Sequence, residues 1–249
     1  MKLSLVSFNI RFCDDPDGHS IDERAPRLKE ILVKENADLI GFQEYTPKWH
    51  EFIAWNFGNE YEIFNKYRAE NQLESAPILW KKDKFECVSK GYFWLSDTPE
   101  VESRGWDERC NCYRICQYVI LNHKETNKQF TFMNTHFGFG DGCQTKSAEL
   151  IHKYSEKISS NPTFITGDFN MTHKDKGYGE ITKYFKDVNK LTSNDLRTTY
   201  HEYGKVSDAH IDFCFINEKI TPVQLKMLTE TFSGKYPSDH YGLYIELEI

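Results

Sequence analysis

The sequence predicts an α/β fold in which two mixed β-sheets pack face to face with helices outside. Three observations predict it. The chain opens with a strand–helix–strand pattern, which implies a parallel pair covered by its crossover helix. Many further strands follow, with only a few helical segments among them. The material for a large core is present: 39% of the 249 residues are hydrophobic, and 18 Phe, 14 Tyr and 5 Trp supply bulky side chains. No repeat, low-complexity tract or linker interrupts the chain, so residues 1–249 read as a single domain.

The elements can be taken in order. Residues 3–10 (LSLVSFNI) alternate and are β-branched enough for a strand. Residues 21–36 read as a helix, with Asp22 as N-cap, Pro26 near the first turn, and Leu28, Ile31 and Leu32 on the apolar face. Residues 37–44 form a short buried strand. Segments 61–67, 75–82 and 85–96 read as strands in antiparallel succession. Residues 114–121 and 128–137 flank the polar turn NHKETNK and make a hairpin. Residues 143–159 are a second amphipathic helix, carrying Ala148, Ile151, Tyr154 and Ile158 on one face. A strand at 163–167 follows, then a polar segment, 173–200, with a short helix near GEITKYFKDV. Residues 210–217 and 241–249 are the last strands.

The net charge of −7 is not the basic footprint of a protein that grips nucleic acid by phosphate neutralisation alone, although a bound cation could supply local positive charge. No apolar run reaches membrane-spanning length, and MKLSLVSFNIRF is too short and too alternating for a signal peptide. A soluble, cytoplasmic, monomeric protein is expected. Seven cysteines, an odd number spread over a long chain, suggest reduced thiols. Cys110, Cys112 and Cys116 have the spacing C-x-C-x3-C and lack a paired C-x2-C, so they read as packed or idle thiols before a zinc site.

The informative pattern is where polar residues fall. Asn9 sits in VSFNI, Gln43 and Glu44 end LIGFQE, and Asn134 and His136 end FMNTH. Asp168 and Asn170 end FITGDFN, Asp212 lies in HIDF, and Asp239 and His240 in PSDH. Each lies in or just after a stiff apolar strand. A single case is a capped turn; Gly-Asp-x-Asn alone makes a good turn, and Gly167 is expected to let the chain bend there. Six cases, rich in carboxylates, amides and histidines, suit hard-cation and acid–base chemistry on rigid supports. On a strand, the spacing of Asp168 and Asn170 would put both side chains on one face.

The motifs SFNIR, GFQE, NTHF, GDFN, HIDFCF and SDH, in that order from Ser7 to His240, resemble those of the endonuclease/exonuclease/phosphatase (DNase I-like) superfamily of metal-dependent phosphoesterases. The stretch GYFWLSDTPEVESRGWDERCNCYRICQYVIL resembles a bacterial-type branch of it whose members often have no defined substrate. The resemblance implies a four-layer α/β sandwich with the site at one edge. It implies Glu44 as a metal ligand for Mg²⁺, with Mn²⁺ as a substitute, and Asn9 and Asp239 on the same metal. Relatives with a strong second metal position often carry an acidic residue just after the asparagine. This chain has Arg11 there, which favours one metal. Asp168 would orient or activate water, Asn170 would hold a phosphoryl oxygen, and His240 would be an acid–base group with its tautomer fixed by Asp212. His136 would protonate the leaving oxygen or hold phosphate, with Glu74 as its carboxylate partner and Asn134 supporting it through the backbone. Asn9, Glu74 and Arg114 form the substrate side, Arg114 contacting phosphate; Lys146 and His210 are further candidates.

Three functions stay open. One is a Mg²⁺-dependent phosphoesterase acting on a small molecule, sugar phosphate, lipid headgroup or nucleotide. Another is a nuclease on DNA or RNA, for which NKYRAENQ and HFGFGDG could line a groove. The third, a non-catalytic binding module, is disfavoured by the full polar set.

Overall fold

A computed structural model describes residues 1–192 and 198–249. The chain runs β1 (Lys2–Asn9), α1 (Ile21–Glu35), β2 (Leu39–Gln43), α2 (Pro47–Phe57), β3 (Tyr61–Phe64), β4 (Tyr67–Ala69), β5 (Gln72–Ser75), β6 (Ile78–Lys81) and β7 (Phe85–Trp94). It continues with β8 (Ile115–His123), β9 (Gln129–His136), α3 (Asp141–Ile158), β10 (Thr163–Asp168), α4 (Lys176–Ile181), β11 (Lys186–Asp187), α5 (Val188–Leu191), β12 (Asp212–Ile216), β13 (Thr221–Leu228) and β14 (Gly242–Glu248). One six-stranded sheet has the order β13-β14-β1-β2-β6-β3 and the other β11-β12-β10-β9-β8-β7; β4 and β5 form a separate hairpin.

The four layers follow from period-two alternation. Leu3 and Leu5 of β1 face inward, into a core shared with Phe130 and Phe132 of β9, Phe164 of β10 and Ile216 of β12. Val6 and Phe8 point the other way, onto Leu28 and Ile31 of α1 and Trp49 and Ile53 of α2. On the second sheet, Met133, Ile165 and Phe213 meet Ala148 and Ile151 of α3 and Tyr178 of α4. The parallel β1–β2 pair under α1 and the β8–β9 hairpin are as the sequence predicts.

Several details differ. The N-cap of α1 is Ser20, which forms a capping box with Glu23, while Asp22 lies within the first turn. Pro26 lies inside α1, beyond its first turn. β3 and β6 pair antiparallel, but β7 crosses to the other sheet to pair with β8. Helix α2 and strand β13 were not expected. Pro222 is tolerated in β13 because that strand is a sheet edge with a register shift between Pro222 and Gln224. Gly167 is not a bend: it lies inside β10, where a Cβ would meet the Thr135 carbonyl oxygen of β9 at 2.4 Å. The positive φ falls instead at Asn170, at 49°. All seven cysteines are free; Cys116 is buried in the outer layer while Cys110 and Cys112 lie on a cleft, so the three do not converge on a metal. Among the described residues, no helix is long and apolar enough to cross a membrane.

Candidate active site

The inner faces of the strands change character along their length. Beyond the apolar core comes a layer in which Asn134 Nδ2 donates to the Phe42 and Pro77 carbonyls of the opposite sheet, at 2.7 and 3.0 Å. Its Oδ1 accepts from Gln43 Nε2 and Thr166 Oγ1, at 2.8 and 2.9 Å. Asn134 therefore ties the two sheets together; it does not support His136. The approach needs Gly41, whose Cβ would lie 2.8 Å from the Asn134 amide.

One step further the faces carry charge. Register sets His136, Asp168 and Asp212 in one row across β9, β10 and β12. Parity turns them toward Asn9 of the facing sheet. Two carboxylates side by side on one face repel, and His240 resolves the conflict. Its Nδ1 lies 2.8 Å from Asp212 Oδ2 and its Nε2 lies 3.7 Å from Asp168 Oδ2. Burial alone would lower the imidazole. Asp212, then Asp168 and Asp239, outweigh it and raise His240 to about 10, so the ring is an imidazolium at neutral pH. Asp168 is pushed up to about 7 by burial and by Asp212, against the pull of His240 and of two hydrogen bonds.

Those bonds aim Asp168. Asn9 Nδ2 donates to its Oδ2 at 2.9 Å, and the Asn170 backbone N–H to its Oδ1 at 2.9 Å. Asn170 lies past the strand end, so a turn, not strand alternation, brings its side chain beside Asp168. Asn170 Nδ2 donates to Phe137 O at 2.9 Å, which fixes the amide orientation and turns the same NH₂ toward His136 Nε2 at 3.0 Å. His136 Nε2 must therefore accept. Burial, Arg114 and Arg68 hold the ring well below its ordinary value, hence neutral with its proton on Nδ1. In this arrangement Nε2 has no proton to pass to a leaving oxygen. Glu74 faces that Nδ1, its Oε1 3.7 Å away, while its closer contact is Arg68 Nη1 at 2.6 Å.

Glu44 follows β2 with a φ of 60° and accepts from Asn9 Nδ2 at 3.2 Å and from the Phe12 N–H at 2.9 Å. Each carboxylate oxygen keeps a lone pair, and Asp239 offers another carboxylate on the same cleft. This all-oxygen pair suits a hard divalent cation. Asn9 lies beside this pair. Its Oδ1 accepts from the Arg11 N–H at 3.1 Å while its NH₂ faces Glu44 and Asp168. Arg11 binds Asp15 at 2.9 Å and approaches Asp239 Oδ2 at 3.7 Å. Asp168, Asp212 and His240 also cluster closely enough to hold an ion; in this structure the His240 ring lies between the two carboxylates.

These groups open onto a cleft of about 770 Å³. Arg114 lines it, buried, with Nε 3.4 Å from Asp107. Of the weaker candidates, His210 stacks on Phe213 with centroids 4.4 Å apart, and Lys146 is exposed, with its ammonium over the Trp106 ring. Sequence reasoning missed Arg68, Arg109 and Tyr200 on the cleft wall; Arg68 lies in a segment whose composition pointed to a groove, and the other two carry no signal.

No protein-family model matches the chain. A solved structure of an endonuclease/exonuclease/phosphatase from Bacteroides vulgatus superposes with a TM-score of 0.92 at 27% identity, covering 100% of this chain and 99% of that one. A mannosyl-6-phosphatase from Bacteroides thetaiotaomicron gives 0.91 at 25% identity, covering 99% and 100%. Protein L388 of Acanthamoeba polyphaga mimivirus is 24% identical over 220 residues, 80% of this chain and 82% of the relative.

Proposed function

We propose that this chain, a protein of the endonuclease/exonuclease/phosphatase superfamily, is a Mg²⁺-dependent phosphoesterase that hydrolyses a phosphoester of a small, hydroxyl-rich molecule such as a sugar phosphate. The observation that carries the reading is Asp168: a carboxylate aimed by Asn9 and Asn170, 3.7 Å from an imidazolium locked by Asp212, on a cleft that also holds Glu44. Glu44 and Asp239 would hold the divalent cation, Mg²⁺ or Mn²⁺, which when bound supplies charge neutralisation at the phosphoryl group. Asp168, titrating at about 7, orients a water and takes its proton. His240 donates from Nε2 to a phosphoryl oxygen and carries a positive charge where negative charge accumulates. Arg114 adds a second cationic donor to phosphate.

Two features favour a small hydroxylated substrate. The Arg68–Glu74 pair lies on the wall, a donor and an acceptor side by side, as hydroxyl groups require. The flat surfaces that bases would stack on are partly taken: Arg11 lies 5.1 Å over the Phe12 ring and Arg109 lies 4.8 Å over Phe139. The likeness to a mannosyl-6-phosphatase agrees. The test is a screen of sugar phosphates, inositol phosphates, sphingomyelin, RNA and abasic DNA, with metal removed by EDTA and restored as Mg²⁺ or Mn²⁺. Turnover of a sugar phosphate that disappears with EDTA and in Asp168→Asn is expected. Metal-independent turnover, or an undiminished Asp168→Asn enzyme, defeats the reading. A nuclease is the second reading, favoured by the four arginines on an open cleft; it requires substrate binding that weakens steeply with salt.

A further inference from the structure

Arg24 lies on α1 and is wholly buried, yet among the described residues it makes no ion pair with a carboxylate. Its guanidinium donates instead to four backbone carbonyls: His19 at 2.8 Å, Cys13 at 2.6 Å, Arg11 at 3.1 Å, and Ile10. Trp49 of α2 lies against it, ring centroid 5.3 Å away, and the indole Nε1 also donates to Arg11 O, at 2.8 Å. Burying a guanidinium is costly, and only its five-donor fork could satisfy so many carbonyls at once.

Three of the four bonded carbonyls, those of Ile10, Arg11 and Cys13, belong to the segment that leaves β1, and two of its N–H groups bond side chains of the site. Arg11, at a φ of 63°, donates its N–H to Asn9 Oδ1. Phe12 donates its N–H to Glu44 Oε2. One face of the segment is clamped by Arg24 and Trp49, and the other orients the two side chains on which the cation side of the cleft depends.

We propose that Arg24 is a positioning residue for metal binding: by clamping the carbonyls of Ile10, Arg11 and Cys13 it aims two backbone N–H groups, one that fixes the Asn9 amide beside Glu44 and one that holds the Glu44 carboxylate for ligation. This rests on the reading of Glu44 as a metal ligand. Supports of this kind are typically worth about 10- to 100-fold in metal affinity.

The test is Mn²⁺ binding to the whole protein, followed by loss of the free-ion electron paramagnetic resonance signal, in wild type, Arg24→Met, Trp49→Phe and Glu44→Gln, with thermal unfolding in parallel. Arg24→Met should fold and bind Mn²⁺ about tenfold or more weakly. Trp49→Phe, which keeps the packing but loses the donor to Arg11, should weaken binding by a smaller factor, and Glu44→Gln should abolish it. A folded Arg24→Met with wild-type affinity overturns the proposal. If Arg24→Met fails to fold, wild-type affinity in Trp49→Phe overturns it. Undiminished binding in Glu44→Gln overturns the ligand assignment itself, and the role of Arg24 with it.

Discussion

Replacing Asp212 with asparagine isolates the charge that keeps His240 protonated. The carboxylate lies 2.8 Å from His240 Nδ1, and His240 titrates at about 10 against an ordinary 6.5. At about 1.36 kcal/mol per tenfold change, that difference is worth roughly 5 kcal/mol in favour of the charged ring. Burial opposes it and is the largest single influence; Asp212 leads the groups that overcome burial. Without its charge, burial should return His240 to neutrality near pH 7, while the isosteric amide preserves packing. The phosphoryl group then loses a charged donor, a change that typically costs about 10²–10³ in kcat. The assay is the pH dependence of kcat. In wild type it should rise through about 7 as Asp168 loses its proton and fall above about 10 as His240 loses its own. In Asp212→Asn the alkaline limb should move down by several pH units and kcat should fall. Imidazole ¹⁵N spectra would follow the same change without turnover. An unmoved alkaline limb with undiminished kcat would refute the assignment of the imidazolium to Asp212.

Other outcomes follow from the same geometry. Asn9→Asp exchanges the NH₂ shared by Glu44 and Asp168 for a further carboxylate; hydrogen bonds to charged groups are worth about 1.5–3 kcal/mol, so kcat should fall about tenfold or more in steady-state assays. Gly167→Ala sets a Cβ 2.4 Å from the Thr135 carbonyl, a backbone atom that cannot swing away; overpacking of this kind costs about 1–3 kcal/mol, and urea unfolding should show it. His201 is buried and accepts from the Gly204 N–H, and burial takes it down to about 4. The unfolded chain binds that proton at 6.5. Folding stability should therefore be complete above 6.5 and decline as pH falls toward 4, by roughly 1–2 kcal/mol after screening, and the decline should shrink in His201→Gln.

Much of the site could be read in the sequence because strands put it there. Glu44, His136 and Asp168 each close an apolar run and Asp212 opens one, and rigid strand ends bring them to one edge. The superfamily and the two-sheet architecture were legible for the same reason. What escaped depends on contacts across long separations. Arg24 looks like one more solvated charge in IDERAPRLKE, and nothing local says that four carbonyls will surround it. The proton position on His136 depends on the Phe137 carbonyl acting through Asn170, a chain of bonds with no sequence signature. Glu44 and Arg11 adopt positive φ although neither residue type favours it, so tertiary contacts must hold those turns. Helix α2 was hidden by its aromatic composition, PKWHEFIAWNF, which resembles core material as readily as a helix.

The shared parity of core and site has an evolutionary consequence. Leu5 and Asn9, Phe132 and His136, and Phe164 and Asp168 lie on the same faces of their strands. Inserting or deleting one residue within β1, β9 or β10 without a bulge to absorb it would rotate the site groups out of the cleft and polar groups into the core in a single step. Length changes in the loops around the cleft carry no such cost, so rebuilding the rim can alter the substrate while the strand registers stay constant.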